Sequence, residues 1–131
     1  MKKIIFLLLL TLGILGCNNI DKKEKEVEIS KIMDNEYTLV SEYKDLGITI
    51  NFDKDRVYGF SGVNRYFGNY KIDGDKIKIG PLAGTRMAGP IESLQKEQKY
   101  LKQLESAKIL KLKENSLLIE TADKTLYFEK K

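Results

Sequence analysis

The sequence predicts an α+β domain that is mainly β, with strands, then one long helix, then strands again. Three observations carry this reading. Apolar and polar residues alternate in short runs, as in Ile48, Ile50 and Phe52 around Thr49 and Asn51, the period of a half-buried strand. Asp73-Gly74 stands between two such runs, and a pair of this type supplies the positive φ angles a tight hairpin needs. Helical spacing is sustained in one stretch, through Ile91, Leu94, Leu101 and Leu104.

At the N-terminus, Met1-Lys2-Lys3 is followed by an apolar run that ends near Leu15, the layout of an export signal. The run falls short of the roughly 20 residues needed to span a bilayer. It closes on Ile14-Leu15-Gly16-Cys17, which resembles the lipobox of bacterial lipoproteins. That resemblance implies cleavage after residues 1–16 and a diacylglycerol on Cys17, and two acyl chains hold a protein on a membrane stably. Cys17 is the chain's single cysteine, so no intramolecular disulfide is expected. The expected location is the cell envelope, at the outer membrane or the outer face of the cytoplasmic membrane.

Residues 17–35 read as the lipidated cysteine and a flexible charged linker, dense in Lys and Glu. A short amphipathic turn carrying Val27, Ile29 and Ile32 is the competing arrangement, disfavoured by the mixed charge run.

The domain is expected over residues 36–131. Tyr37-Thr38-Leu39-Val40 is β-branched and aromatic, and residues 48–52 alternate. Asp53-Lys54-Asp55 turns the chain into a third strand, Arg56-Val57-Tyr58-Gly59-Phe60. A glycine-bearing loop leads to the hairpin of Tyr70 and Ile72 with Ile77 and Ile79. Gly80-Pro81 and Gly89-Pro90 bracket one further strand over residues 82–87. Pro90 suits the first turn of a helix, where its missing N–H is not wanted, and the helix runs to about Glu105. Strands at residues 109–112, 116–121 and 126–128 follow, turning at Lys113-Glu114-Asn115 and Ala122-Asp123-Lys124.

Charge and composition narrow the function. The chain has 23 basic and 19 acidic residues; without Lys2 and Lys3 the net charge is +2, spread along the sequence and no nucleic-acid footprint. There is no histidine, which removes Ser-His-Asp and Cys-His schemes and the zinc sites built on His or Cys. Asp53, Asp55, Asp73 and Asp75 fall in turns, where solvated carboxylates are ordinary. Gly80-Pro81-Leu82-Ala83-Gly84-Thr85 lacks the Gly-Lys-Ser/Thr of a phosphate-binding loop. No catalysis, cofactor or metal is expected.

Gly62-Val63-Asn64-Arg65-Tyr66-Phe67-Gly68-Asn69-Tyr70, then Thr85-Arg86-Met87-Ala88, then Glu97 with Tyr100-Leu101 and Leu104, resemble in order and spacing the META domain of HslJ-like proteins. The resemblance covers residues 37–131. It implies a strongly curved antiparallel sheet, like an incomplete barrel, with the helix packed against it. It links the chain to heat-shock induction, novobiocin tolerance and, in protozoan relatives, virulence, without a reaction. The family often carries cysteines where this chain has Val63 and Gly89, and a tryptophan where it has Tyr37. The loss of both cysteines together is what a bonded pair would leave.

The residues singled out as a polar cluster are Asn64, Arg65, Thr85, Arg86 and Glu97. Asn64 and Arg65 are placed in the loop between strands, and Glu97 on the margin of the helix's buried stripe. A carboxylate there needs a partner, and Arg86 is the candidate because guanidinium grips carboxylate at two points. A structural ion pair outranks a ligand site. Two functional readings follow: a non-catalytic envelope protein that binds or supports envelope components, or a carrier or secretion-pilot-like module holding a hydrophobic ligand or peptide. A filled interior favours the first and an open apolar cavity the second.

Overall fold

The computed structural model describes residues 29–131, so the signal, Cys17 and the first part of the linker lie outside the described residues. The elements are α1 (Ile29–Ile32), β1 (Glu36–Leu39), a 3-10 turn (Lys44–Leu46), β2 (Thr49–Phe52), β3 (Arg56–Phe60), β4 (Arg65–Asp73), β5 (Lys76–Ile79), β6 (Ala83–Gly84), α2 (Ile91–Glu105), β7 (Ile109–Lys113), β8 (Ser116–Glu120) and β9 (Thr125–Lys130). Alternation decides the strands. Tyr37 and Leu39, Ile50 and Phe52, Ile77 and Ile79, Leu117 and Ile119, and Leu126 and Phe128 point inward while their neighbours face out.

Eight strands close into an antiparallel barrel. The order β3-β2-β1-β9-β8-β7-β5-β4 returns on itself because β3 also pairs with β4, and β6 adds as a ninth strand on β4. The incomplete barrel expected above is therefore corrected to a closed one. Two features close it. The nine-residue β4 is long enough to pair with β3 through Arg65–Asn69 and with β5 through Tyr70–Asp73. The seam between β5 and β7 is thin, with Lys76 opposite Ile109 and flanking bonds from Ile77 N–H to the Lys108 carbonyl (3.0 Å) and from Leu110 N–H to the Asp75 carbonyl (2.8 Å).

The hairpin between β4 and β5 turns at Gly74-Asp75, with Asp73 still in the ladder opposite Lys76. Only its first turn residue, Gly74, has positive φ (63°), as a turn with glycine leading requires.

Helical side chains plug each end of the barrel. The antiparallel order gathers the start of β1, the turns β2–β3, β4–β5 and β7–β8, and the C-terminus at one end. There Met33 bridges to Phe52 and Lys131 N–H bonds the Glu36 carbonyl at 2.9 Å. Ile32 on α1 is fully buried at this end (0 % exposed). The linker expected to run to residue 35 is thus corrected over its described part: Ile29–Ile32 belongs to the folded unit, because burying Ile32 against the core outweighs the charged surroundings that argue for a solvated chain. At the opposite end lies α2, which inserts Tyr100 and Leu104 into the core. Ile91, placed on the helix's apolar stripe from sequence, is 75 % exposed, and the buried face is Glu97, Tyr100 and Leu104.

The hydroxyls of Tyr66 and Tyr100 inside the barrel are satisfied. The Tyr66 hydroxyl donates to the Thr49 carbonyl at 2.8 Å, and the Tyr100 hydroxyl lies 2.8 Å from it. Their rings meet edge-on at 5.7 Å. Burial pushes both hydroxyls' pKa upward, so they stay protonated. Gly59 makes the approach possible: a Cβ there would sit 2.2 Å from the Thr49 carbonyl oxygen.

Candidate functional site

The polar residues singled out from sequence converge at the end of the barrel covered by α2. After β3 the chain makes a tight loop in which Ser61 N–H donates to the Asn64 carbonyl at 2.8 Å. Gly62 takes φ of 119°, a backbone that L side chains rarely adopt. This turns the N–H groups of Val63 and Asn64 toward α2, forming a small concavity of amide donors suited to an anion. The anion is the protein's own Glu97 carboxylate, 5 % exposed.

Glu97 Oε1 accepts from the Ser61 hydroxyl, from Asn64 N–H at 2.7 Å and from Val63 N–H at 3.3 Å. Its Oε2 accepts from the Asn64 side-chain amide at 2.9 Å. Burial alone would raise the carboxyl's pKa, but the donors of Ser61, Asn64 and Val63 outweigh it and hold the group below its ordinary range. The single Ser61 proton also has the Asn64 carbonyl at 2.8 Å, and the carboxylate is the stronger acceptor.

Asn64 extends the network outward. Its Oδ1 accepts from Met87 N–H at 2.6 Å and from the Thr85 hydroxyl at 3.1 Å. Thr85 in turn pairs with Arg65: Thr85 N–H donates to the Arg65 carbonyl at 3.0 Å, and Arg65 N–H donates to the Thr85 hydroxyl oxygen at 3.2 Å. Asn64 therefore ties α2, the β3–β4 loop and the segment after β6 together.

Four of the five candidates belong to this network, and Arg86 does not. The expected Arg86–Glu97 ion pair is corrected: neutral donors occupy Glu97, while Arg86 is exposed between Thr85 and Met87, the two residues that turn their polar groups to Asn64. Arg65 opens β4 and is not in the loop, and its part in the network is played by its backbone. The strand expected over residues 82–87 shrinks to Ala83–Gly84: Thr85 N–H makes a last backbone bond to Arg65, while the Thr85 hydroxyl and Met87 N–H turn to Asn64.

Sequence reading missed Ser61 and the amide of Val63. Nothing in Ser61-Gly62-Val63 signals a carboxylate more than thirty positions away, and a backbone donor leaves no mark in residue type. The surface beside the network holds one more relationship. A Cβ on Gly89 would stand 3.6 Å from the Val63 Cβ and 2.8 Å from its Cγ1, so the two positions where the resemblance implies cysteines are spatial neighbours.

Chemically, each Glu97 oxygen already has a donor, so the network works as a bolt between helix and barrel. Three solved structures share the fold. An NMR structure of a protein from Burkholderia xenovorans has 24% identity and a TM-score of 0.62, covering 79% of this chain and 86% of its own. A second NMR structure has 22% identity and a TM-score of 0.61, covering 79% and 94%. The crystal structure of a DUF4847 family protein from Bacteroides vulgatus has 13% identity and a TM-score of 0.56, covering 76% and 94%. No curated protein matches the chain. The model of the META domain matches residues 28–131, which take in every element from α1 to β9, and the chain belongs to the META domain family.

Proposed function

We propose that the chain is a membrane-anchored, non-catalytic lipoprotein whose META domain supports the cell envelope, under stress or antibiotic challenge, by binding other envelope components. The anchoring half rests on the order of charged start, apolar run and Gly16-Cys17. The binding half rests on one observation above the others, the packed barrel interior. Tyr37, Phe52, Tyr66, Tyr100, Phe128 and Leu117 fill it, and an eight-stranded barrel is just wide enough for side chains to do so. A packed interior favours recognition by the outer surface over carriage of a hydrophobic ligand within. The absence of histidine from the chain and the internal use of Glu97 favour a role without catalysis.

The test has two parts. Cys17→Ser is expected to move the protein out of the membrane fraction; retention there would refute lipid anchoring. Mass analysis after gentle cross-linking in the native membrane is expected to recover a recurrent envelope partner. An enriched lipid or small molecule without a protein partner would favour the carrier.

A further inference from the structure

The hairpin of β4 and β5 places Lys71 directly opposite Lys78, and both are exposed. Like charges directly opposite across a ladder destabilise it. Elsewhere on this surface lysines face carboxylates: Lys111 meets Glu120 at 2.8 Å, Lys131 meets Glu36 at 3.0 Å, and on the same hairpin Lys76 stands opposite Asp73. Among the described residues neither Lys71 nor Lys78 has an ion-pair partner.

The two lysines line a groove of about 400 Å³ together with Asp55, Asn69, Tyr70 and Gly80, a volume within the range of small-molecule sites. Gly80 is informative. Its φ lies outside the left-handed region, and a Cβ there would meet only the Asn69 carbonyl oxygen, at 3.5 Å, an ordinary contact. Packing thus demands no glycine at this position, unlike Gly59, and a side chain there would take up groove volume. Asp55, whose carbonyl accepts from Tyr70 N–H at 3.1 Å, adds one negative charge to the two positive ones.

We propose that this groove is a binding site for a phosphate group carrying a neighbouring amine. The Lys71 and Lys78 ammonium groups hold the phosphate as paired point charges, and Asp55 receives the amine. The site lies outside the Glu97 network and stands on the groove alone, with or without an anchor on Cys17.

The experiment is an amide-shift titration of the isotopically labelled full chain at low ionic strength, with O-phosphoethanolamine and inorganic phosphate as probes. Saturable shifts are expected at Lys71, Lys78 and Gly80. Lys71→Ala with Lys78→Ala, and separately Gly80→Leu, are expected to weaken binding by about tenfold or more. Gly80→Leu keeps every charge, so its effect separates a shaped site from general attraction. Asp55→Asn should weaken phosphoethanolamine and spare inorganic phosphate. A response of the same amides to phosphatidylethanolamine vesicles, absent with phosphatidylcholine alone, would identify the source as a lipid headgroup, and a response to the soluble probe only would identify a free phosphate ester. Shifts spread equally over Lys111 and Lys124, or binding unchanged in Gly80→Leu, would overturn the proposal.

Discussion

Asn64 grips Glu97 at both carboxylate oxygens, its backbone N–H on Oε1 at 2.7 Å and its side-chain amide on Oε2 at 2.9 Å. Because the group is charged and shielded from water, these bonds are stronger than neutral ones. Glu97→Gln turns one acceptor into a donor that must face another donor, at an expected cost of about 2 kcal/mol. The folded carboxyl's pKa is lowered, so its contribution is complete above the unfolded value and is lost as pH falls through the folded one. Urea midpoints measured across the acid range should fall with pH in the parent chain and flatten in Glu97→Gln. An equal acid slope in both would remove Glu97 as the titrating group.

The neighbouring pair makes a second expectation. Val63→Cys with Gly89→Cys, in a Cys17→Ser background, should oxidise to a disulfide, since a Gly89 Cβ lies 3.6 Å from the Val63 Cβ, within the span a disulfide accepts. The closed loop is worth about 3 kcal/mol in the chain-entropy picture. Thiol titration and a reducible rise in melting temperature check it; two free thiols after oxidation would contradict the adjacency.

Gly59→Ala tests the close approach behind the tyrosine pair. The added methyl would sit 2.2 Å from the Thr49 carbonyl oxygen, so β2 and β3 must separate and the bond from Tyr66 must lengthen. A loss of about 3 kcal/mol is expected, read as a melting-temperature drop of about 15 °C. Gly80→Ala, with only an ordinary contact to make, serves as the near-neutral comparison.

Much of this fold was legible because it is local. The runs ending at Phe52, Phe60 and Ile79 carry their own period, and Gly80-Pro81 and Gly89-Pro90 mark breaks that the structure keeps. The first half of β4 reads as loop in the sequence because Gly68 stands at one of its inward positions. The alternation survives there through Tyr66 and Tyr70, and Leu82 fills the space that a Gly68 side chain would take. Closure is hidden for a different reason: it needs β1 to pair with β9 and β5 with β7, and the register between such distant segments is not encoded by residue type. The site was half legible. Asn64, Thr85 and Glu97 are legible as polar candidates and do converge, but the partners of Glu97 are amides and a serine, whereas charge logic points to Arg86.

The pairing of β1 with β9, Tyr37 opposite Lys130 and Leu39 opposite Phe128, governs when the barrel can form. The first strand stays an open edge until the last one arrives, so a chain still lacking Thr125–Lys130 has two unpaired ladders and no ring. Such far-apart contacts make folding late and slow. A chain of this design can pair its local hairpins early but cannot seal its ring until its end has been delivered, so closure is the step that joins the two halves into one unit.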